Sequence, residues 1–138
     1  DIAFGLENLE LKNDEIIDTI GKTLKKLKLE SIGKNNVNML SSGQKQLVAL
    51  AGVIAMNPNY IVFDEPTTML DVMNKKNIMS IIKELNKKNK VAIVLITNSL
   101  DDLKFAETVV ALKKGAILFN GKKSELNKKI LNQAGLDA

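Results

Sequence analysis

The chain has 138 residues, 45% hydrophobic and 26% charged, which is the composition of one globular domain and not of a disordered or collagen-like chain. It contains no cysteine and no histidine, which excludes disulfides, thiol nucleophiles, imidazole bases and zinc sites of the usual Cys/His kind. All 20 basic residues are lysines, against 16 acidic residues, and together with only 4% aromatic residues this argues against a nucleic-acid partner.

The first half of the chain is predicted to be mainly helical. Residues 2–9 form an apolar stretch without a clear period, whereas over 13–27 the apolar residues recur at helical spacing with lysines on the other face. After a polar break at 33–36, a second helix is predicted over about 41–56. Its apolar run, 47–56, is half as long as the roughly 20 residues that a bilayer span needs.

The second half alternates strands with helices. An apolar strand is predicted over 60–63, a helix over about 72–85, and over 91–96 a β-branched strand covered on both faces. The last elements are short, and they are predicted as a helix over 100–105, a hairpin of 109–112 with 116–119, and an amphipathic helix beginning near Ser124. This alternation predicts an α/β layered domain.

A polar segment, Leu40-Ser41-Ser42-Gly43-Gln44, lies at the head of the second predicted helix. Ser41 and Gln44 have the spacing of a capping box, which predicts an ordinary helix start. The free N–H groups and the positive dipole end of the same turn also suit an anion such as a phosphate. Taken alone, the segment favours the cap.

Two carboxylates, Asp64 and Glu65, follow the first predicted strand. Ligands of open α/β sheets bind at this end of the strands. Without cysteine or histidine, any metal would be a hard, oxygen-bound ion, and one carboxylate could hold hydrated Mg²⁺ while the other orients a water. Acidic residues also commonly cap the turn after a strand, so the pair alone is weak support for a site.

Together these segments resemble the nucleotide-binding domain of ABC ATPases, and the resemblance covers nearly the whole chain. The similar segments, in the family's order, are 40–46 for the signature motif, 60–66 for the Walker B strand, 68–71 for the D-loop and 94–98 for the switch strand and its loop. Residues 1–8 and 48–53 look closest to ATPase subunits of energy-coupling-factor and cobalt importers.

The resemblance implies part of an α/β P-loop NTPase fold. About 1–57 would form the helical signature subdomain, and about 58–138 the second half of the RecA-like core. The chain contains no Gly-x-x-x-x-Gly-Lys-Ser/Thr sequence, so it has no P-loop of its own. In this family that motif would lie upstream of Asp1, and the 138 residues alone are expected to be inactive.

The resemblance also implies an ATP-hydrolysing importer subunit that uses ATP and Mg²⁺. Asp64 would hold Mg²⁺ through water, and Glu65 would polarise the hydrolytic water. Asn98 stands at the switch position, where the family has a histidine, and an amide cannot carry a proton. Because of Asn98, and because Ser42 replaces a usual glycine, we expect weakened turnover.

The implied partners are a second ATPase subunit, either a copy or a relative, and transmembrane transporter subunits. Ser41, Ser42, Gly43 and Gln44 would meet the γ-phosphate of ATP bound on the second ATPase subunit. Asp71 would communicate across that interface. Residues 2–8 would lie near a coupling helix of the membrane partner, at the cytoplasmic face of the cell membrane. The cargo would be cobalt, another metal ion or a vitamin.

Three alternatives stay open. The chain could be a non-catalytic partner that contributes only a signature motif, which Ser42 and Asn98 favour and the retained Glu65 disfavours. It could also be a remnant of a broken gene. A non-transport ABC ATPase of nucleic-acid metabolism is disfavoured by the absence of arginine.

Overall fold

The structure is a computed structural model that describes residues 1–68 and 70–136. Its helices and strands are α1 (Ala3–Asn8), α2 (Asn13–Leu27), α3 (Ser42–Ala55), β1 (Tyr60–Asp64), α4 (Val72–Lys87), β2 (Ala92–Ile96), β3 (Thr108–Lys113), β4 (Ala116–Lys122) and α5 (Lys128–Ala134). The short 3₁₀ turns are Glu30–Ile32, Val37–Met39, Leu100–Phe105 and Lys123–Glu125. Within the described ranges no helix combines the length and the apolar character that crossing a membrane requires.

The chain divides into two compact units. The first contains Asp1–Ile61 and Thr67–Val94, and the second contains Val62–Pro66 and Leu95–Ala138. The subdomain boundary expected near residue 57 stays a prediction.

The first three helices pack around one buried cluster in the first unit. Leu6 of α1, Ile16 of α2 and Ala55 of α3 form the cluster. Gly5 permits close approach, because a β-carbon there would lie 2.5 Å from Sδ of Met56. The helix α1 carries no periodic apolar stripe, so the sequence pattern did not predict it, and its helical state rests on these tertiary contacts.

Helices α2, α3 and α4 confirm the periodic predictions. Helix α3 is the most buried of them, as its apolar run indicates. Helix α4 continues two residues beyond the predicted end, and its buried face consists of Ile78, Met79, Ile82 and Leu85. The chain then turns into β2 through two hydrogen bonds, from Val91 N to Leu85 O (3.2 Å) and from Asn86 Nδ2 to Val91 O (3.1 Å).

Strands β1 and β2 form a two-stranded sheet. Ala92 N donates to Asn59 O and Glu65 N donates to Ile96 O, each at 2.9 Å. Because the paired positions advance along both strands in the same direction, the strands are parallel. Their carboxyl ends therefore lie side by side.

The expectation that the second of these strands is covered on both faces is wrong for this structure. Val94 of β2 is 56% exposed and Ile96 is 49% exposed, and Val62 of β1 is exposed as well, whereas its neighbour Ile61 is buried. The physical reason is that, within the part of the chain that the structure describes, each strand has one neighbouring strand and only alternate side chains are covered. An apolar run shows that a strand suits burial, but it does not show what buries it.

The second unit carries the hairpin of β3 and β4, which confirms the predicted hairpin. The antiparallel register pairs Lys113 with Ala116 across a two-residue turn. In that turn Lys114 has φ 48° and Gly115 has φ 78°, and such positive values at both central residues match the right-handed twist of a hairpin.

The start predicted for the last helix, near Ser124, is wrong. A 3₁₀ turn occupies that position, and Glu125 accepts from Lys122 N at 3.2 Å to close it. Leu126 is extended, which interrupts the helical path. Helix α5 begins only at Lys128, where the side chain of Asn127 accepts from Ile130 N at 3.0 Å.

Candidate functional site

The head of α3 has the capping box that the sequence predicts. Ser41 N donates to Gln44 Oε1 at 3.0 Å, and Gln44 N donates to Ser41 Oγ at 3.3 Å. These bonds engage the side chains of Ser41 and Gln44 in starting the helix. Ser42 is exposed and Gly43 is buried. The helix itself offers no carbonyl partner to the N–H groups of these two first-turn residues.

Gly43 packs directly against a side chain of α4. A β-carbon at Gly43 would lie 2.9 Å from Nδ2 and 3.0 Å from Cγ of Asn74. The first distance is shorter than real β-carbon contacts and the second is tighter than most of them, so the absence of a side chain lets Asn74 lie against the backbone of α3. No local sequence signal marks Asn74 as a site residue.

The same asparagine binds the carboxylate of Asp71, which caps α4. Asn74 N donates to Asp71 Oδ1 at 2.9 Å, and Asn74 Nδ2 donates to Asp71 Oδ2 at 2.6 Å. The backbone bond first and the side-chain bond second lower the pKa of Asp71 from 3.8, because both stabilise the charged form. The segments predicted as signature motif and D-loop thus meet through Asn74. Met69, within that predicted D-loop, lies outside the described residues.

Asp64 and Glu65 are exposed at the carboxyl end of β1, in the second unit. Glu65 has φ 45°, a left-handed conformation that costs a residue with a side chain about 1 kcal/mol or more. Its backbone N–H is held at 2.9 Å from the carbonyl of Ile96. The strained turn is therefore fixed to the last residue of the neighbouring strand, two positions before Asn98.

Asn98 is exposed in a loop held by the residues around it. Thr97 Oγ1 donates to Asp102 Oδ2 at 2.7 Å, and Ser99 N donates to Thr97 Oγ1 at 3.0 Å. Asp102 N in turn donates to Ser99 O at 3.1 Å. Asp102 is only 1% exposed, so the loop is tied to a buried carboxylate.

Asp102 is not among the site residues predicted from the sequence. The sequence signal that could have pointed to it is weak: Asp102 is the second of two adjacent acidic residues at the start of a predicted short helix. Acidic residues at helix starts usually stay in water, where they complement the helix dipole. The burial of Asp102 follows from tertiary contacts that the sequence pattern does not contain.

The structure groups the predicted residues in two sets. Ser41–Gln44 and Asp71 belong to the first unit, and Asp64, Glu65 and Asn98 belong to the second. Among the described residues no three metal-binding side chains of the His, Cys, Asp or Glu type cluster together. A lone carboxylate such as that of Asp64 nevertheless fits Mg²⁺, which keeps several waters and takes one or two protein oxygens.

Comparison with known proteins identifies the family. The sequence profile of the family described as ABC transporter matches residues 5–68. The energy-coupling factor transporter ATP-binding protein EcfA1 of Clostridium novyi (strain NT) is 39% identical over 139 residues, which cover 99% of this chain and 50% of that protein. The chain spans about half the length of the curated relatives it matches.

Solved structures of ABC transporter proteins share the fold. The cbiO1 protein from Clostridium perfringens, described as part of the ABC transporter complex cbiONQ, is 32% identical with a TM-score of 0.82, over 99% of this chain and 55% of that one. The bacterial ABC transporter cassette MJ0796, solved as a dimer and also with ADP and Pi, is 32% identical with a TM-score of 0.71, over 81% of this chain and 49% of that one. The profile, the relatives and the structures agree that the chain belongs to the ABC transporter ATPase family.

Proposed function

We propose that this chain is the hydrolytic part of an ATP-binding subunit of an ABC importer, with ATP and Mg²⁺ as cofactors. The observation that carries the proposal is the arrangement at the end of β1. Asp64 and Glu65 stand exposed there, and the bond from Glu65 N to Ile96 O fixes them beside the strand that leads to Asn98. Ligands of parallel sheets bind at this end of the strands.

The proposed chemistry divides between the two carboxylates. Asp64 would hold Mg²⁺ through water, and the ion would supply positive charge next to the phosphates. Glu65 accepts a hydrogen bond from the attacking water and takes its proton, which is general-base catalysis. Asn98 donates a hydrogen bond to a phosphate oxygen but cannot accept a proton there as a histidine could. Slow turnover is therefore part of the proposal.

The head of α3 is proposed to serve a second nucleotide, bound on a partner ATPase subunit. The capping box uses Ser41 Oγ and Gln44 Oε1 as acceptors, so the donors left for the γ-phosphate are the N–H groups of Ser42 and Gly43, the serine hydroxyls and Nε2 of Gln44, together with the helix dipole. Asp71 would communicate across the interface between the two ATPase subunits. The dimeric cassette of MJ0796 supports such a pair, formed by two copies or by this chain and a relative.

The importer assignment rests on the relatives. EcfA1 proteins are named as energy-coupling factor transporter subunits, and cbiO1 is described as part of cbiONQ. We propose transmembrane subunits as further partners, a position on the cytoplasmic face of the cell membrane, and cobalt, another metal ion or a vitamin as cargo. Helix α1, with Phe4 69% exposed, is the proposed contact for the membrane subunit. The 138 residues alone are expected to bind ATP weakly, since they contain no P-loop sequence.

The test is Glu65→Gln in the full-length protein assembled with its partners. Loss of the base is expected to lower the steady-state rate of ATP hydrolysis about 100-fold, while the Kd for ATP stays within about threefold. Glu84→Gln is the matched control, because Glu84 is exposed on α4 in a surface ion pair with Lys88. Equal rates for Glu65→Gln and wild type would refute the proposed role.

A second candidate is a non-catalytic partner subunit, and Asn98 at the switch position is the observation that favours it. In that case the hydrolysing carboxylate belongs to the other subunit, and Glu65→Gln leaves the rate unchanged. Asn98→His separates the two functions further. A hydrolytic subunit is expected to gain turnover when an imidazole is restored, whereas a non-catalytic one gains none.

A further inference from the structure

Asn74 lies between the start of α3 and the start of α4 and contacts both. Its side chain packs against the backbone of α3 at Gly43, where a β-carbon would approach Nδ2 to 2.9 Å. Its Nδ2 atom also donates to Asp71 Oδ2 at 2.6 Å. One planar amide thus fills the gap between the head of α3 and the cap of α4.

This contact goes beyond what a helix cap needs. Capping of α4 is complete once Asp71 Oδ1 accepts from the backbone N–H of Asn74, and any residue except proline would supply that donor. The side-chain bond to the second oxygen requires in addition a short side chain that can donate a hydrogen bond, as the amide of Asn74 does. At Gly43, in turn, any side chain would displace the amide. The three residues therefore depend on one another.

We propose that Asn74 is a positioning residue that fixes the carboxylate of Asp71 relative to the head of α3. The D-loop and the signature motif then keep one geometry when the partner's nucleotide binds. The inference rests on the proposed function for the roles of these two segments. The contact itself stands on the distances alone.

The first experiment tests the contact with a double-mutant cycle of Gly43→Ala and Asn74→Ala in the full-length protein. In the wild-type background, Gly43→Ala is expected to lower the folding equilibrium constant, because the new methyl group displaces the amide. With Asn74→Ala already present, it is expected to raise that constant about two- to fivefold, since alanine is the better helix former. Equal effects in both backgrounds would overturn the contact.

The position of the amide has a second readout, the titration of Asp71 by carbon NMR of its carboxyl group. Asn74→Ala removes the side-chain donor, so the pKa of Asp71 is expected to rise toward its ordinary value. Gly43→Ala is expected to raise it too, but only while Asn74 is present. An Asp71 pKa that is the same in wild type and Asn74→Ala would contradict the proposal.

The second experiment measures ATP hydrolysis by the assembled complex. Asn74→Ala and the isosteric Asn74→Asp are expected to lower kcat about tenfold, the effect of losing a hydrogen bond to a charged group, with the Kd for ATP unchanged. Asn77→Ala, on the exposed face of α4, is the matched control and is expected to keep the wild-type rate. Wild-type kcat in both Asn74 variants would overturn the positioning role. If the wild type itself does not hydrolyse ATP, the proposed function fails, and the cycle still decides whether Asn74 makes the contact.

Discussion

The hydroxyl of Thr97 is 2.7 Å from the buried carboxylate of Asp102, and the residue proposed to face the phosphate, Asn98, lies next to that hydroxyl in the chain. Thr97 also accepts from Ser99 N, so the loop is tied on both sides of Asn98. The backbone around Asn98 is thereby set by a carboxylate that is itself 1% exposed.

Asp102→Ala is expected to destabilise the protein by about 1–3 kcal/mol, because it leaves the Thr97 hydroxyl without its acceptor and empties a buried position. Urea unfolding of the two proteins measures the difference. Asp101→Ala is the control, since Asp101 pairs with Lys104 on the surface and such pairs contribute less than about 1 kcal/mol. A similar decrease in the free energy of unfolding in the two variants would show that the buried Asp102 stabilises the protein no more than the exposed Asp101 does.

The left-handed backbone at Glu65 predicts an unusual order of stability between two variants that both lack the carboxylate. Glu65→Gly is expected to be about 1 kcal/mol more stable than Glu65→Ala, because glycine tolerates φ 45° without steric strain. The same two substitutions at Glu84, inside α4, serve as the control. There Glu84→Ala is expected to be about 1 kcal/mol more stable than Glu84→Gly, because alanine is the better helix former. A Glu65→Ala variant as stable as Glu65→Gly would show that φ relaxes in solution.

Substitution of Ser41 by aspartate separates its role in capping α3 from its proposed place next to a phosphate. Ser41→Asp keeps a side-chain acceptor for Gln44 N, so the free energy of unfolding is expected to stay within about 0.5 kcal/mol of wild type. Ser41→Ala, which lacks the acceptor, is expected to lose about 1 kcal/mol. The added negative charge should nevertheless repel a phosphate at the head of α3 and abolish hydrolysis. Normal ATP hydrolysis by the Ser41→Asp complex would show that the first turn of α3 does not contact the phosphate.

The depressed pKa of Asp71 predicts a pH dependence of stability. The folded state holds the carboxylate charged more strongly than the unfolded state does, so the contribution is complete above the unfolded value near 3.8. It is lost as pH falls below 3.8 through the folded pKa. The difference in unfolding free energy between wild type and Asp71→Asn should therefore shrink as pH falls from 5 to 3. A difference that stays constant over this range would contradict the shift.

The amphipathic helices and the hairpin could be predicted because their signals are local. Each signal involves residues that are close in the sequence. They are the apolar stripe of α2, the Ser41–Gln44 capping box of α3 and the Lys114-Gly115 turn. The start of α5 was missed for a local reason as well. Ser124 begins a plausible helix turn, but Asn127 is the stronger cap.

The remaining features depend on distant contacts. The helical state of α1 depends on the burial of Leu6, and the importance of Asn74 depends on a glycine some thirty residues earlier in the chain. Neither relation leaves a periodic signal. The candidate site divides in the same way. The Asp64-Glu65 pair can be found by its place after a strand, but the carboxylate of Asp102 looks like a solvated acid until the fold buries it.

The most direct measurement is the structure of the Glu65→Gln complex with ATP and Mg²⁺. The expected result has Asp64 joined to Mg²⁺ through water, and the side chain at position 65 within about 3 Å of a water in line with the γ-phosphate. The N–H groups of Ser42 and Gly43 are expected to face the γ-phosphate of the partner subunit's nucleotide. Nucleotide bound elsewhere, with the end of β1 open to bulk water, would contradict the assignment of Glu65 as the hydrolytic residue.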